Sequence, residues 1–285
     1  MKPCWILLFS CPDAPGIQAF VSTFIHKHGG FIDDVKAHSD QESGQFVCRI
    51  SFQAAGNAPL DIEGFKKDLE GEGDQYKMNW SITSADEKVP TVIAVSKFGH
   101  CLNDLLHRWR IGSLPIDIRA IVSNHDTMRP MADFYDIPYH HIPVTKQTKM
   151  ESEAQFLNVV NEAGGELVVL ARYMQILSDG LTAKWAGRCI NIHHSFLPSF
   201  KGAKPYHQAF QRGVKLIGAT AHYVTSDLDE GPIIEQDVER IDHSQTPTLL
   251  VEQGSDIEAR VLSRAVKWHA SRRVVMIGQR TIVLR

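Results

Sequence analysis

The chain has 285 residues, of which 43% are hydrophobic and 22% charged, and its formal net charge at pH 7 is −3. This length allows one or two globular domains, and the charge provides no basic field for nucleic acid or an anionic membrane. No apolar run approaches the roughly 20 residues of a membrane span, and no basic-then-apolar signal layout opens the chain. We therefore expect a cytoplasmic protein with no nucleic-acid and no membrane partner.

Five cysteines support the same compartment. They stand at positions 4, 11, 48, 101 and 189, are odd in number and contain no C-x-x-C pair. This pattern favours reduced thiols over a disulfide framework or a zinc site.

The first 85 residues alternate between the hydrophobic period of strands and that of helices. The predicted elements are a strand at 5–10, a helix from 17 that stops at Gly29-Gly30, a strand at 46–52 after a turn near Gly44, a helix at 62–69 and a strand at 80–82. With a strand on each side of the turn near Gly44, the order strand, helix, strand, strand, helix, strand predicts a ferredoxin-like βαββαβ unit.

The turn between the first strand and the first helix reads C-P-D-A-P-G at 11–16. Asp13 can cap free helix amides, and a proline near the first helical position has no donor to waste. With this turn, the unit resembles an ACT domain, the small amino-acid-sensing module of metabolic enzymes. The resemblance implies an amino-acid effector near the turn, a regulatory or assembly role and a homo-oligomer. The alternative is a dimerising domain that binds no ligand.

A polar segment at 84–90 ends in proline and predicts a linker, so we expect two domains, 1–85 and 86–285. After it, strand and helix patterns alternate as in a Rossmann-like, mostly parallel α/β sheet. Strands are predicted at 91–96, 118–123, 138–143, 166–170 and 218–224, helices at 101–109, 128–135, 151–163 and 246–267, and a terminal hairpin at 274–277 and 281–284.

Polar groups suited to carbonyl chemistry gather in residues 189–234. An apolar strand ends in Asn191 and His193, and a later acidic turn contains Asp229. An amide can donate to an oxyanion, an imidazole can move a proton, and a carboxylate can orient the imidazole. Because residues i and i+2 of a strand share a side, we expect His194 to point away from this group. From the residues alone, Asp229 is equally interpretable as an ordinary turn aspartate.

Separated motifs carry a family resemblance: N-I-H at 191–193, S-F-L-P at 195–198 and L-D-E-G-P at 228–232. Together they resemble the signature of the folate-dependent formyltransferases, over roughly residues 90–285. The resemblance implies that Asn191, His193 and Asp229 are catalytic and surround the formyl group of 10-formyltetrahydrofolate. It also implies chemistry without a metal or a cofactor. The competing metal hypothesis, with ligands at His193, His194, His222 and Asp229, lacks H-x-x-x-H, H-E-x-x-H or Cys-pair spacing.

The same resemblance implies two folate-binding segments, one gripping the pterin through backbone groups and one lining its side. The implied substrate-binding residues are Arg172, Met174, Gln175, Ile176, Leu177, Thr225, Ser226, Asp227 and Leu228. For Met174, Ile176 and Leu177, plain core packing is the alternative interpretation.

The turn K-F-G-H-C-L at 97–102 lacks the G-x-G-x-x-G of a dinucleotide site. It also lacks the Gly-Ser-Asn loop with which the purine-pathway transferase holds its acceptor's phosphate. Gln175 stands where transferases commonly carry Arg, and His194 and Phe196 replace their usual Pro and Leu. The chain therefore resembles the hydrolytic members of the family.

The predicted reaction is hydrolysis of 10-formyltetrahydrofolate to tetrahydrofolate and formate, which would supply formate for purine synthesis and balance folate pools. Water would be the nucleophile, with Asp229 as the first choice for taking its proton and His193 as the second. Two alternatives remain: transfer of the formyl group to an amine acceptor, and a folate or amino-acid sensor without catalysis.

Overall fold

The computed structural model describes residues 2–198 and 205–285. Contacts divide the chain into two compact units. Unit 1 comprises Met1–Glu87, Ser271–Ile277 and Ile282–Arg285, whereas unit 2 comprises Lys88–Ala270 and Gly278–Thr281. The tail therefore differs from the predicted 86–285 domain, because most of its last fifteen residues group with the N-terminal unit.

Unit 1 has the predicted βαββαβ order. Its elements are β1 (Cys4–Pro12), α1 (Ile17–Lys27), β2 (Gly30–Asp40), β3 (Gln45–Ala54), α2 (Ile62–Gly73) and β4 (Asn79–Ser84). The sheet order is β2-β3-β1-β4, with every pair antiparallel. The apolar faces of α1 and α2 and the inner residues of the sheet form one core that includes Phe24, Phe52 and Phe65.

Unit 2 is built on a seven-stranded sheet in the order β11-β10-β9-β8-β5-β6-β7. Its strands are β5 (Val89–Val95), β6 (Ile116–Ser123), β7 (Tyr139–His141), β8 (Leu167–Leu170), β9 (Cys189–His193), β10 (Leu216–Tyr223) and β11 (Ile233–Arg240). Its helices are α3 (His100–Arg110), α4 (Arg129–Phe134), α5 (Lys149–Glu162), α6 (Asp179–Lys184), α7 (Pro205–Arg212) and α8 (Pro247–Ala270).

Strands β5 to β9 pair in parallel, and β10 and β11 continue the sheet antiparallel. The predicted mostly parallel Rossmann-like sheet is therefore confirmed. The first strand, β5, has β6 on one side and β8 on the other, so the chain order reverses there. In open α/β sheets, such a reversal opens a crevice at the carboxyl ends of the strands.

The sequence patterns did not predict α6, α7 or β11. The two helices have six and eight residues, too short for a clear 3.6-residue period. Strand β11 reads I-I-E-Q-D-V-E-R, and its polar residues lie at the sheet edge, where Arg260 bonds to Asp237 and Glu239. The terminal pair β12 (Val274–Ile277) and β13 (Arg280–Val283) matches the predicted hairpin.

Within the described residues, no helix combines the length and apolar character needed to cross a bilayer.

Candidate active site

A cavity of about 600 Å³ lies in unit 2 beside the ends of β8 and β9. All twelve residues predicted for catalysis and folate binding line it. The structure therefore brings together side chains that are up to 57 positions apart in the chain, from Arg172 to Asp229.

His193 is the last residue of β9 and is only 4% exposed. Its Nδ1 lies 3.2 Å from Oδ1 of Asp229. Its buried Nε2 has no hydrogen-bond partner within the described residues. An imidazole whose one nitrogen is held by a carboxylate presents the other nitrogen for proton transfer.

Asp229 is held in a left-handed backbone conformation with φ of 59°. Burial alone would raise the pKa of its carboxyl, but the hydrogen bond and the electrostatic attraction of His193 lower it by more. The pKa of Asp229 is therefore lowered below its ordinary value. The carboxylate is ionised at neutral pH and can stabilise a charged imidazole.

Asn191 faces His222 across the antiparallel β9–β10 pair. Nδ1 of His222 lies 2.9 Å from the carbonyl oxygen of Tyr223, which can only accept a hydrogen bond. The ring proton of His222 therefore sits on Nδ1. Nε2 of the same ring accepts a hydrogen bond from the side-chain amide of Asn191 at 3.3 Å. Burial lowers the pKa of His222, which favours this neutral form. One amide N–H of Asn191 is thus fixed, and the other remains for a ligand.

His222 lines the cavity and contacts Asn191, whereas the sequence suggested it only as a candidate metal ligand. The contact between His222 and Asn191 has no local sequence pattern, because 31 positions separate the two residues. Antiparallel pairing of β9 with β10, had it been predicted, would have placed the two residues opposite each other.

The expectation that His194 points away from the site was wrong. Its ring centroid lies 5.1 Å from that of His193, and it lines the same cavity. Strand β9 ends at His193, so the alternation of sides does not continue to the next residue. Burial, followed by the charges of Arg172 and His193, lowers the pKa of His194 to about 4, so the ring is neutral at pH 7.

The loop after β8 is fixed by backbone contacts with Ser96. The backbone amide of Ser96 donates a hydrogen bond to the carbonyl oxygen of Arg172 at 3.2 Å. The hydroxyl of Ser96 accepts a hydrogen bond from the backbone amide of Met174 at 3.0 Å. Met174 and Ile176 are 51% and 61% exposed although both line the cavity. Core packing therefore does not account for them, whereas Leu177 does pack partly against the core of unit 2.

A second polar cluster in the cavity surrounds Glu258 of α8, which is 1% exposed. Its carboxylate accepts from Tyr206 Oη at 2.7 Å, contacts His100 Nε2 at 2.8 Å and lies 3.4 Å from Nε of Arg172. Despite burial, the hydrogen bond with His100 and the charge of Arg172 lower the pKa of Glu258. The sequence did not reveal this cluster, because its four members come from separate elements.

His100, Cys101 and Glu258 form the one group of three side chains, within the described residues, whose ligand atoms are close enough to hold a metal ion. Two features of the group disfavour a metal. The guanidinium of Arg172 already lies against the carboxylate, and burial raises the pKa of Cys101 well above normal, whereas metals bind the thiolate.

Comparison with known proteins connects this site to a family. The family model described as formyl transferase matches residues 89–266. Over 280 residues, covering 98% of each chain, the sequence is 47% identical to a formyltetrahydrofolate deformylase of Corynebacterium sp. (strain P-1). It is 45% identical to that of Bacillus subtilis, covering 97% of this chain and 92% of the relative. The chain belongs to the formyltetrahydrofolate deformylase family.

Solved structures agree with this family. A deformylase from Burkholderia mallei superposes with a TM-score of 0.94 at 48% identity, covering 99% of this chain and 100% of that one. Glycinamide ribonucleotide transformylase 1 from Symbiobacterium toebii superposes with a TM-score of 0.65 at 27% identity, covering 70% of this chain and 95% of its own. The deformylases thus share the whole two-unit chain, whereas the transformylase shares only part of it.

Proposed function

We propose that this deformylase-family chain hydrolyses 10-formyltetrahydrofolate to tetrahydrofolate and formate. The observation that supports this most strongly is the buried Nε2 of His193, which has no hydrogen-bond partner in the described part of the chain, on a ring that contacts Asp229 and lines the same cavity as Asn191. Curated relatives along the full chain are formyltetrahydrofolate deformylases.

In the proposed mechanism, water attacks the formyl carbon while the free N–H of Asn191 donates to the developing oxyanion. Nε2 of His193 takes the proton of the water, and Asp229 stabilises the imidazolium. His193 then returns the proton to N10 of the folate as the carbon–nitrogen bond breaks. The products are tetrahydrofolate and formic acid, which ionises to formate.

This assignment differs from our first choice of base from the sequence, which was Asp229. Its carboxylate is engaged by Nδ1 of His193, and its lowered pKa makes it a weak proton acceptor. Nε2 of His193, in contrast, is engaged by no hydrogen-bond partner within the described residues.

The folate would lie between the loop at 171–177 and the turn at 225–228. The exposed apolar side chains of Met174, Ile176 and Leu228 suit the pterin ring, and the backbone groups near Arg172 suit its polar edge. We extend the proposal to all nine residues predicted for substrate binding.

Neither a metal nor a cofactor takes part in the proposed reaction, because His193, Asp229 and Asn191 supply both the proton transfer and the charge stabilisation. A chelator should leave the rate of formate release unchanged. A rate that falls with chelator and returns with added zinc or iron would contradict this part of the proposal.

For unit 1 we propose the predicted ACT role, as an effector-binding and oligomer-forming domain in the cytoplasm. Its βαββαβ order and its turn at 11–16 support this. Formate release measured with each free amino acid in turn should identify an effector, and light scattering should give an oligomer. A monomer that responds to no amino acid would contradict the role.

The direct test measures formate release from 10-formyltetrahydrofolate with no amine acceptor present. Steady turnover is expected from the wild type, and its near-complete loss from Asp229→Asn and His193→Ala. Asp256→Asn and His243→Ala replace exposed residues of the same types and should turn over normally. Turnover that requires an amine acceptor would make the chain a transferase, and folate binding without turnover would make it a sensor.

A further inference from the structure

The cluster of His100, Arg172, Tyr206 and Glu258, here called the Glu258 cluster, takes no part in the proposed proton transfer, and only Arg172 among its members belongs to the proposed folate site. It lines the same cavity as the catalytic residues. Ring contacts also connect it to His193 through His194, since the centroid of His194 lies 6.5 Å from that of Tyr206 and 5.1 Å from that of His193. A second substrate entering this cavity would therefore meet the cluster.

One member of the cluster, His100, is the first residue of α3. This helix follows β5, begins at His100 and has no side-chain cap. Helix starts at this position of an open α/β sheet attract anions. Here the carboxylate of Glu258 lies 2.8 Å from Nε2 of His100, the first residue of that helix, so an anion of the protein itself already engages this side chain.

The same carboxylate also engages the cation that an external anion would need. Arg172 lies 3.4 Å from Glu258, and its side chain is only 10% exposed. At this distance the contact is an ion pair and not a hydrogen bond, and the buried Nε of Arg172 has no hydrogen-bond partner within the described residues. Removing the charge of Glu258 would leave Arg172 and His100 as an unoccupied anion site.

We infer that Glu258 is a specificity-determining residue that excludes phosphorylated amine acceptors, so that water is left as the only nucleophile. Structural relatives of the same fold are by name glycinamide ribonucleotide transformylases, and a ribonucleotide carries a phosphate. The inference rests on the proposed hydrolase function, because it explains why that reaction needs no second substrate.

Inorganic phosphate is the probe, with chloride used to keep the ionic strength constant. The wild type should release formate at a rate insensitive to phosphate. Glu258→Gln keeps the shape of the side chain but removes its charge, and it should bind phosphate about tenfold or more tightly than the wild type. Binding is measured by inhibition of formate release and, independently of turnover, by phosphorus NMR.

Two controls separate the charge from the structure. Tyr206→Phe removes a hydrogen bond of the cluster but keeps the carboxylate, and Glu252→Gln removes an exposed charge from the same helix. Neither should gain phosphate binding. If Glu258→Gln does not fold by circular dichroism, Glu258→Ala is the second variant.

Phosphate binding by the wild type, or none by the folded Glu258 variants, would overturn the inference. Failure of the proposed function is a different result, in which the wild type releases no formate whatever its phosphate affinity.

Discussion

At the scale of residues, stabilisation of the oxyanion depends on how the side-chain amide of Asn191 is oriented. Nε2 of His222 accepts a hydrogen bond from one N–H of the Asn191 side-chain amide, and the Tyr223 carbonyl fixes the neutral tautomer of His222 that can do so. The remaining N–H is therefore pre-oriented, which is the condition under which an oxyanion donor is most effective.

The first residue-scale prediction concerns this donor. Asn191→Ala should lower kcat for formate release by about 10²–10³-fold while KM for the folate changes little, because the lost bond forms mainly in the transition state. A matching loss from His222→Phe would follow from the freed amide. An Asn191→Ala variant with wild-type kcat would show that Asn191 is not the donor.

His194 provides a prediction on pH and stability. Its pKa falls from 6.5 to about 4 on folding, mainly through burial. Between these pH values the unfolded chain binds more protons, so the free energy of unfolding should fall on acidification, by at most about 3 kcal/mol. The buried His222, whose pKa is also lowered, should act in the same direction.

The measurement is urea unfolding of the wild type and of His194→Asn across this pH range. The variant should show the shallower dependence on pH because it lacks the group that titrates. Parallel curves for the two proteins would contradict the cause assigned to His194.

The twelve residues predicted for the site line the cavity, whereas the contacts of His222, Tyr206 and Glu258 there were not predicted from the sequence. The twelve belong to motifs that are short in sequence or follow a strand directly. Glu258 lies within a long amphipathic helix, where a glutamate ordinarily faces solvent, and only the packing of α8 against α3 buries it. Such non-local burial leaves no local pattern.

At the scale of elements, the turn after β10 places Asp229. A Cβ on Gly231 would lie 1.8 Å from the carbonyl oxygen of Tyr223, so no other residue fits without moving the backbone. The tight approach keeps the turn against the end of β10 and hence keeps Asp229 beside His193.

We predict that Gly231→Ala lowers kcat nearly as much as Asp229→Asn, because the displaced turn separates the carboxylate from His193. Gly71→Ala is the matched control: it lies in α2, a Cβ there meets nothing within 4 Å, and alanine should stabilise the helix by about 0.5–1 kcal/mol. Steady-state kinetics and thermal unfolding of both variants check this. Normal kcat in Gly231→Ala would contradict the role of the turn.

At the scale of the whole molecule, the chain's two ends share one unit. Arg49 of β3 is 6% exposed, and its Nε donates to the carbonyl of Ser271 at 3.2 Å. The linear division at residue 85 missed this contact because the partners lie 222 positions apart. No sequence pattern reports pairing over that separation.

Removing residues 271–285 should therefore destabilise unit 1 by about 1–3 kcal/mol, since it leaves a buried guanidinium without its acceptor. Arg49→Met should lower the free energy of unfolding by less in the truncated chain than in the full chain, as a coupled pair requires. Urea unfolding of the four proteins provides the comparison. Equal costs in both backgrounds would show that Arg49 and the tail act independently.

In the proposed reaction, water activated by His193 and Asp229 attacks the formyl carbon. The most direct measurement is mass spectrometry of the formate released from 10-formyltetrahydrofolate in ¹⁸O-labelled water without an acceptor. If water is the nucleophile, the wild type should produce formate that carries one labelled oxygen from the first turnover onward. Asp229→Asn should not produce it. Unlabelled formate in the first turnover would contradict the account, because the oxygen would then come from a protein carboxylate and not from water.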